Sequence, residues 1–469
     1  MDGSRLGLAP LTAARLNMNG AVGSSLLMPV KDAAGPDSSR GAPFLFKAAN
    51  TPTTLQQQQA SNPAGAEPTG RLSGGKRDHD AAVATDGPHA VDDASQNAAK
   101  KKKITYQLPH QNMEEGHFYV ILGEDVDVST ARFKILSLLG EGTFGKVVDV
   151  CERTRKAYGA VKIVRSVPKY SRDAEIEIRF MEKVRAADPN DLYCFTKIIR
   201  SFRNDGGHVC IAMPKYGPCL LDFMQKHGTF SHRHLAEIVF QCATALDFFH
   251  SEMRLMHTDL KPENMLLEQS STALDPTTGR QQPVLPCKLR ICDLGGCCDE
   301  RHSAHAIVST RHYRSPEVVL GLGWMFSTDI WSMGCIVYEL FTGRLLFDTH
   351  DNLEHLHIME KILGRLPTEF APRAMPEVRD VFTPLGSLRP VSDPKSLARI
   401  SRARPIRETV NDELLRDLVQ QSLSYDRTRR ITARRMATHP YVQKYYPESM
   451  QHPLHPAHRP QPRPPVPTA

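Results

Sequence analysis

At 469 residues the chain is longer than one small domain needs, and its 40% apolar share implies a packed core diluted by polar low-complexity segments. No run of about 18 apolar residues occurs, which excludes a membrane-spanning helix. The net charge of +7 gathers at Lys100–Lys103, at Arg399, Arg402, Arg404 and Arg407, and at Arg427, Arg429, Arg430, Arg434 and Arg435; without interleaved aromatics, zinc spacing or a helix-turn-helix pattern it reads as a solvated face rather than a nucleic-acid interface.

Residues 1–113 are rich in Ala, Gly, Ser and Pro, include a glutamine tract at 56–59, and read as a disordered extension. The four lysines at 100–103 fit either a nuclear localisation signal or a plain charge run. Order is expected from Glu114 to residue 446. Residues 117–122 predict a strand. Residues 133–139 alternate with a period near two and run into Leu139-Gly140-Glu141-Gly142-Thr143-Phe144-Gly145-Lys146-Val147-Val148. That is strand, glycine-rich turn, strand. A G-x-G-x-x-G turn also opens dinucleotide-binding folds, but there a helix follows. Here Lys146, Val147 and Val148 continue as strand, so the glycines let the backbone close over phosphates without Cβ clashes.

Residues 158–164 predict a strand that carries Lys162 in an apolar setting, and such a lysine needs a partner. The helix expected over 173–185 offers Glu175 and Glu177 on different faces; Glu177 is assigned to Lys162 and Glu175 to solvent. Residues 209–213 form the next strand, followed by a connection, Pro214-Lys215-Tyr216-Gly217. Cys219 then stands either at a pocket rim or simply at a helix start. A long apolar helix over 235–250 leads to His257-Thr258-Asp259-Leu260-Lys261-Pro262-Glu263-Asn264, which sets a carboxylate, a lysine and an amide within six positions. A short strand (265–267), a polar insert (269–286) and another strand (288–292) end at Asp293-Leu294-Gly295. A polar, His-rich stretch (296–310) closes at Arg311-His312-Tyr313-Arg314-Ser315-Pro316-Glu317. Asp329 opens a buried helix, and residues 447–469 read as a disordered Pro- and His-rich tail. The ten cysteines show no C-x-x-C pair and read as reduced thiols.

Taken in order, the glycine-rich turn, Lys162, the 257–264 loop, Asp293-Leu294-Gly295 and the 311–317 element resemble the motifs of protein kinases over residues 133–442. The segment Glu354-His355-Leu356-His357-Ile358-Met359-Glu360-Lys361-Ile362-Leu363-Gly364 is similar to the E-H-L-A-M-M-E-R-I-L-G signature of the LAMMER, or CLK, kinases of the CMGC group, departing at His357, Ile358 and Lys361. Thr258, the Ser309–Arg314 run and the long insert before Asp293 agree with that group; Leu294 departs from its Phe. The 213–217 connection and the imperfect signature look like the divergent CLK kinases of kinetoplastid parasites.

The resemblance implies an α+β, bilobal kinase fold: an antiparallel sheet with one helix, then a mainly helical lobe. It implies a Ser/Thr kinase, with tyrosine as a second acceptor, using ATP and Mg²⁺ on protein substrates. In that reading Asp259 orients the substrate hydroxyl, Lys261 neutralises the γ-phosphate, and Lys162, held by Glu177, fixes the α- and β-phosphates. Asn264 and Asp293 hold the metal ions. Residues 139–147, Ala160, Met213 as gatekeeper, Lys215 and Tyr216 through their backbone, Cys219, Asp222, Asn264 and Leu266 line the nucleotide pocket. Arg430 pairs with Glu317 as a structural bridge. Thr258 stands where most kinases carry an arginine that reads activation-loop phosphate, and threonine cannot form a bidentate ion pair, so activity is expected without phosphate at Ser303, Ser309 or Thr310, unless Arg311 takes the role. The implied substrates are Arg/Ser-rich splicing factors or kinetochore proteins, in RNA processing or chromosome segregation. The implied location is the nucleus, with the cytoplasm as alternative. The competing readings are a pseudokinase scaffold and a nucleic-acid-binding adaptor.

Overall fold

The computed structural model describes residues 116–299 and 307–458. The expectations for the lysine run, the start of order at Glu114 and Ser303 fall outside them. Five strands, β1 (Phe133–Gly142), β2 (Gly145–Glu152), β3 (Ala157–Val164), β4 (Arg200–Arg203) and β5 (Val209–Pro214), form one antiparallel sheet in the order β1-β2-β3-β5-β4. Alternation buries Ile135, Val148, Val150, Val161 and Ile163 in a small core of their own. Helix α1 (Pro168–Ala187) crosses beside this sheet. It starts five residues earlier than expected, because Pro168 is preset for the first helical turn.

The second lobe is helical. Helices α2 (Leu220–His227) and α3 (His232–Ser251) lead to short strands β6 (Leu255–Met256) and β7 (Met265–Leu267). The polar insert is a hairpin, β8 (Thr272–Leu274) with β9 (Gln281–Pro283), pinned to the turn before α3 by Gln282 Nε2 donating to the Thr229 carbonyl. Strand β10 (Leu289–Ile291) pairs with β7, and β11 (Cys298–Asp299) with β6. Helices α4 (Pro316–Val319), α5 (Ser327–Thr342) and α6 (Asn352–Leu363) follow, then α7 (Phe370–Arg373), α8 (Pro394–Arg402), α9 (Ile406–Thr409), α10 (Glu413–Ser422), α11 (Ala433–Ala437) and α12 (Pro440–Tyr445). Helices α3 and α5 are buried nearly all round, so both lie inside the lobe. Among the described residues no helix is long and apolar enough to cross a membrane, and the ten cysteines are free thiols.

Two expectations need correction. Residues 117–122 form no strand: Phe118 and Val120 pack on the sheet's core, and Gly123 turns the chain at φ +87° before any ladder forms. The tail is ordered through His458. Two 3₁₀ turns, Pro447–Gln451 and Pro456–His458, fold back so that the His452 ring meets Phe240 of α3 at 5.0 Å and Leu454 is buried. Apolar and aromatic side chains among the prolines gain enough burial there to hold the turns.

Candidate active site

Lys162 sits opposite Val147 of β2, with its side chain under the sheet. Its Nζ donates to Glu177 Oε1 at 3.0 Å and Oε2 at 2.8 Å, and lies 3.5 Å from Asp293 Oδ1. Glu175, two residues along, is exposed and pairs with Arg203; a helix turns about 100° per residue, so the two glutamates face different ways. Burial works against the Lys162 charge, but Glu177 and then Asp293 outweigh it and hold the pKa above the ordinary lysine value. Asp293 adopts a left-handed backbone (φ 65°, ψ 67°), which brings its carboxylate toward Lys162, and Leu294 behind it is buried. At Gly145 (φ +155°) an added Cβ would stand 2.2 Å from the Ile163 carbonyl oxygen, so only glycine closes this turn on β3.

The second cluster lies on the helical lobe. Asp259 Oδ2 accepts from Lys261 Nζ at 2.6 Å. Its Oδ1 accepts from the Thr310 amide at 2.9 Å and from Thr310 Oγ1 at 2.7 Å. Burial raises the Asp259 pKa, but Lys261 and Thr310 more than offset this, so the group is a carboxylate at neutral pH. Asn264 Nδ2 donates to the Asp259 carbonyl at 2.9 Å. Asn264 Oδ1 is buried and has no partner among the described residues. A buried amide oxygen left open suits a hard cation.

The loop owes its shape to a residue that the sequence reading left without a role. Asp329, at the start of α5 and fully buried, accepts from the His257 and Thr258 amides, each at 2.8 Å, and meets His250 Nε2 at 2.8 Å. These bonds hold Thr258 at φ 68°, a costly conformation for a β-branched residue. Thr258 Oγ1 donates to the Gly296 carbonyl, and Ser309 Oγ to the Thr258 carbonyl, at 2.8 and 2.7 Å. The sequence marks Thr310 only as a phosphate acceptor, and its contact with Asp259 crosses 51 residues of sequence. The signal for Asp329 was a lone carboxylate opening an apolar helix.

The nucleotide-pocket candidates lie on both lobes. Val147 and Ala160 lie on the Lys162 face of the sheet, and Met213 pairs with Ala160. Leu266 bridges Cys219 on the helical lobe. Leu139 and Gly140 belong to β1, and Glu141 pairs with Lys146 at 3.5 Å across the turn. Thr143 and Phe144 form its exposed tip, with Phe144 edge-on to Tyr170. Tyr216 turns its ring toward Lys197 and Arg290, leaving its backbone for the pocket. Cys219 caps α2, its Sγ accepting from the Asp222 amide; burial pushes the thiol up to about 12, so the site supplies no thiolate at neutral pH. Burial also raises the Asp222 carboxyl. Glu263 Oε2 is buried and unpartnered among the described residues, and its pKa is raised by burial and then by the charges of Asp259 and Asp222.

Arg311 Nη1 donates to Asn352 Oδ1, and Arg314 to the Val308 and Ser309 carbonyls. Neither is bonded to Thr258. Arg430 meets Glu317 through two bonds of 2.6 and 3.0 Å, both partners buried.

The protein kinase domain family model matches residues 133–442. Serine/threonine-protein kinase AFC3 of Arabidopsis thaliana is 36% identical over 346 residues, covering 70% of this chain and 85% of that protein. Dual specificity protein kinase CLK1 of Homo sapiens is 37% identical over 343 residues, covering 70% and 69%. A crystal structure of another kinase domain superposes with a TM-score of 0.64 at 29% identity, covering 70% of this chain and 99% of its own.

Proposed function

The chain belongs to the protein kinase family and, within it, to the CLK-type Ser/Thr and dual-specificity kinases; from that premise we propose that it transfers phosphate from ATP to hydroxyls of arginine-rich protein segments. The observation that carries this is the joint placement of Lys162 on Glu177 and Asp293, and of Asp259 on Lys261 and Thr310. Asp259, ionised, accepts a hydrogen bond from the incoming hydroxyl and aims its oxygen. Lys261 stabilises charge on the transferring group, and Lys162 anchors the phosphates nearer the base. The open Oδ1 of Asn264 and the Asp293 carboxylate would hold Mg²⁺, which would supply neutralisation of phosphate charge there.

Substrate class follows from charge. Asp222 and Glu263 stand together near Asp259, and Glu263 has an unsatisfied buried oxygen. A guanidinium N-terminal or C-terminal to the acceptor hydroxyl would satisfy it in a bidentate way that lysine cannot. The test is phosphotransfer from ATP by the full chain to a serine peptide flanked by arginines, against the same peptide with glutamates or lysines in their place. We expect the arginine peptide to be preferred at least tenfold over lysine; equal rates on all three would overturn the substrate reading. Nuclear residence is proposed on the lysine run at 100–103. Loss of nuclear signal from a tagged chain when those four become alanine is the matching check.

A further inference from the structure

Asp149 is an unexpected residue for its position. It pairs across β2–β3 with Ala160, and Ala160 pairs across β3–β5 with Met213. Directly opposed residues share a face, and side chains two apart on a strand share it too. Asp149 therefore lies on the face of Val147, Ala160 and Lys162, the underside that roofs the nucleotide pocket. A carboxylate in this apolar roof is buried, its side chain 10% exposed. Only one of its oxygens is satisfied: Oδ2 accepts from Lys215 Nζ at 2.7 Å, while Oδ1 has no partner among the described residues. Lys215 follows β5 in the connection between the lobes, two residues past Met213 and on the same face. The bond joins positions 66 residues apart and passes over β3.

We propose that Asp149 and Lys215 form a clamp that sets the height of the nucleotide roof above the connection, and so act as positioning residues for ATP. The clamp rests on the ATP-site reading above. It works through β2: the glycine-rich turn opens that strand at Gly145, and Val147 lies between turn and clamp. With the bond made, the strand is held at both ends of the pocket. With Lys215 shortened, both Asp149 oxygens become buried acceptors without a donor, and the strand relieves this by lifting the carboxylate toward water. Val147 then rises with it and loosens its contact with the base. The chemical step depends on Asp259, which lies on the other lobe, and Lys162 keeps its ties to Glu177 and Asp293, so the effect falls chiefly on nucleotide affinity.

Three variants of the full chain test this: Lys215→Ala, Asp149→Lys, and the exchanged pair Asp149→Lys with Lys215→Asp. ATP affinity is read by calorimetry, and KM for ATP, kcat and Tm are measured beside it. We expect the single variants to weaken ATP binding and raise KM for ATP about five- to tenfold, with kcat falling less than about twofold. The exchanged pair should recover at least half of the lost affinity. ATP affinity unchanged in Lys215→Ala would overturn the clamp. So would losses of kcat and KM in step with Tm that the exchanged pair fails to repair, since they would mean a bridge that only stabilises the fold. Absence of ATP binding by the unaltered chain would overturn the ATP-site reading and the clamp together, and so separates the two failures.

Discussion

The two halves of the site are assembled in different ways. On the nucleotide side, Lys162, Glu177 and Asp293 come from three separate elements, a strand, a helix and the turn after β10, and meet only when the lobes are in place. On the hydroxyl side, Asp259, Lys261 and Asn264 come from six consecutive residues, and one buried carboxylate, Asp329, holds the backbone that carries them. The first arrangement can be opened by moving α1. The second depends on α5, whose Asp329 holds the loop backbone. We therefore expect conformational change to act on the nucleotide side, with the hydroxyl side preset.

The largest expected effect breaks the preset half chemically without disturbing its shape. Asp259→Asn keeps the side-chain volume and can still accept from Thr310, but it loses the charge that faces Lys261 and the substrate hydroxyl. We expect kcat to drop about a thousandfold or more, with Tm within a degree or two of the unaltered chain. Near-normal turnover would remove Asp259 from its proposed role.

Breaking the other half should look different. Glu177→Gln removes the charged partner that α1 gives Lys162, leaves the Asp293 contact in place, and weakens the tie of α1 to β3. We expect kcat/KM for ATP to fall about tenfold to a hundredfold, with faster amide exchange along α1 and unchanged exchange in residues 257–264. If exchange rises equally in both places, the two halves are one cooperative unit and the contrast drawn above fails.

The hydroxyl side also carries a proton-sensitive support. Tyr313 Oη donates to Glu339 Oε2 at 2.7 Å under the turn that follows Thr310. Burial, offset in part by Tyr313, raises the Glu339 pKa from 4.5 to about 7. A carboxyl with a raised folded-state pKa binds its proton more tightly in the native chain. Its contribution to stability is full below about pH 4.5 and is lost as pH rises through about 7. Glu339→Gln fixes the neutral form, so it should flatten that part of the pH–stability curve and gain up to about 3 kcal/mol at pH 8 relative to pH 5. Parallel curves for variant and parent in denaturant titrations at the two pH values would contradict this.

How much was legible in the sequence follows the same division. On the hydroxyl side the sequence places Asp259, Lys261 and Asn264 together, because they lie within residues 257–264, but not the residues that hold them. The nucleotide side was read by pairing motifs, and the choice of Glu177 over Glu175 rested on helical phase alone. What escaped were ties that cross long stretches of chain: Thr310 to Asp259, Asp329 to the Thr258 amide, Lys215 to Asp149. Nothing local in a threonine or a lysine announces such a partner. The strand expected at 117–122 failed for a related reason. Apolar alternation tells which side chains seek burial, not whether a neighbouring backbone is there to pair.

The smallest expected effect is the most specific to this chain. Where most kinases need an arginine to read activation-segment phosphate, Thr258 donates its hydroxyl to Gly296 and takes the Ser309 hydroxyl on its carbonyl. The segment is thus joined to the loop by neutral hydrogen bonds that need no phosphate. A phosphate on Thr310 would instead place about two negative charges against Asp259 and remove the hydroxyl that Oδ1 accepts from. Phosphatase treatment of the full chain should change kcat by less than about twofold, or raise it if Thr310 carries phosphate. Loss of activity on treatment, restored by rephosphorylation at Ser309 or Thr310, would show that the hydroxyl side is not preset and that its order is supplied by charge after all.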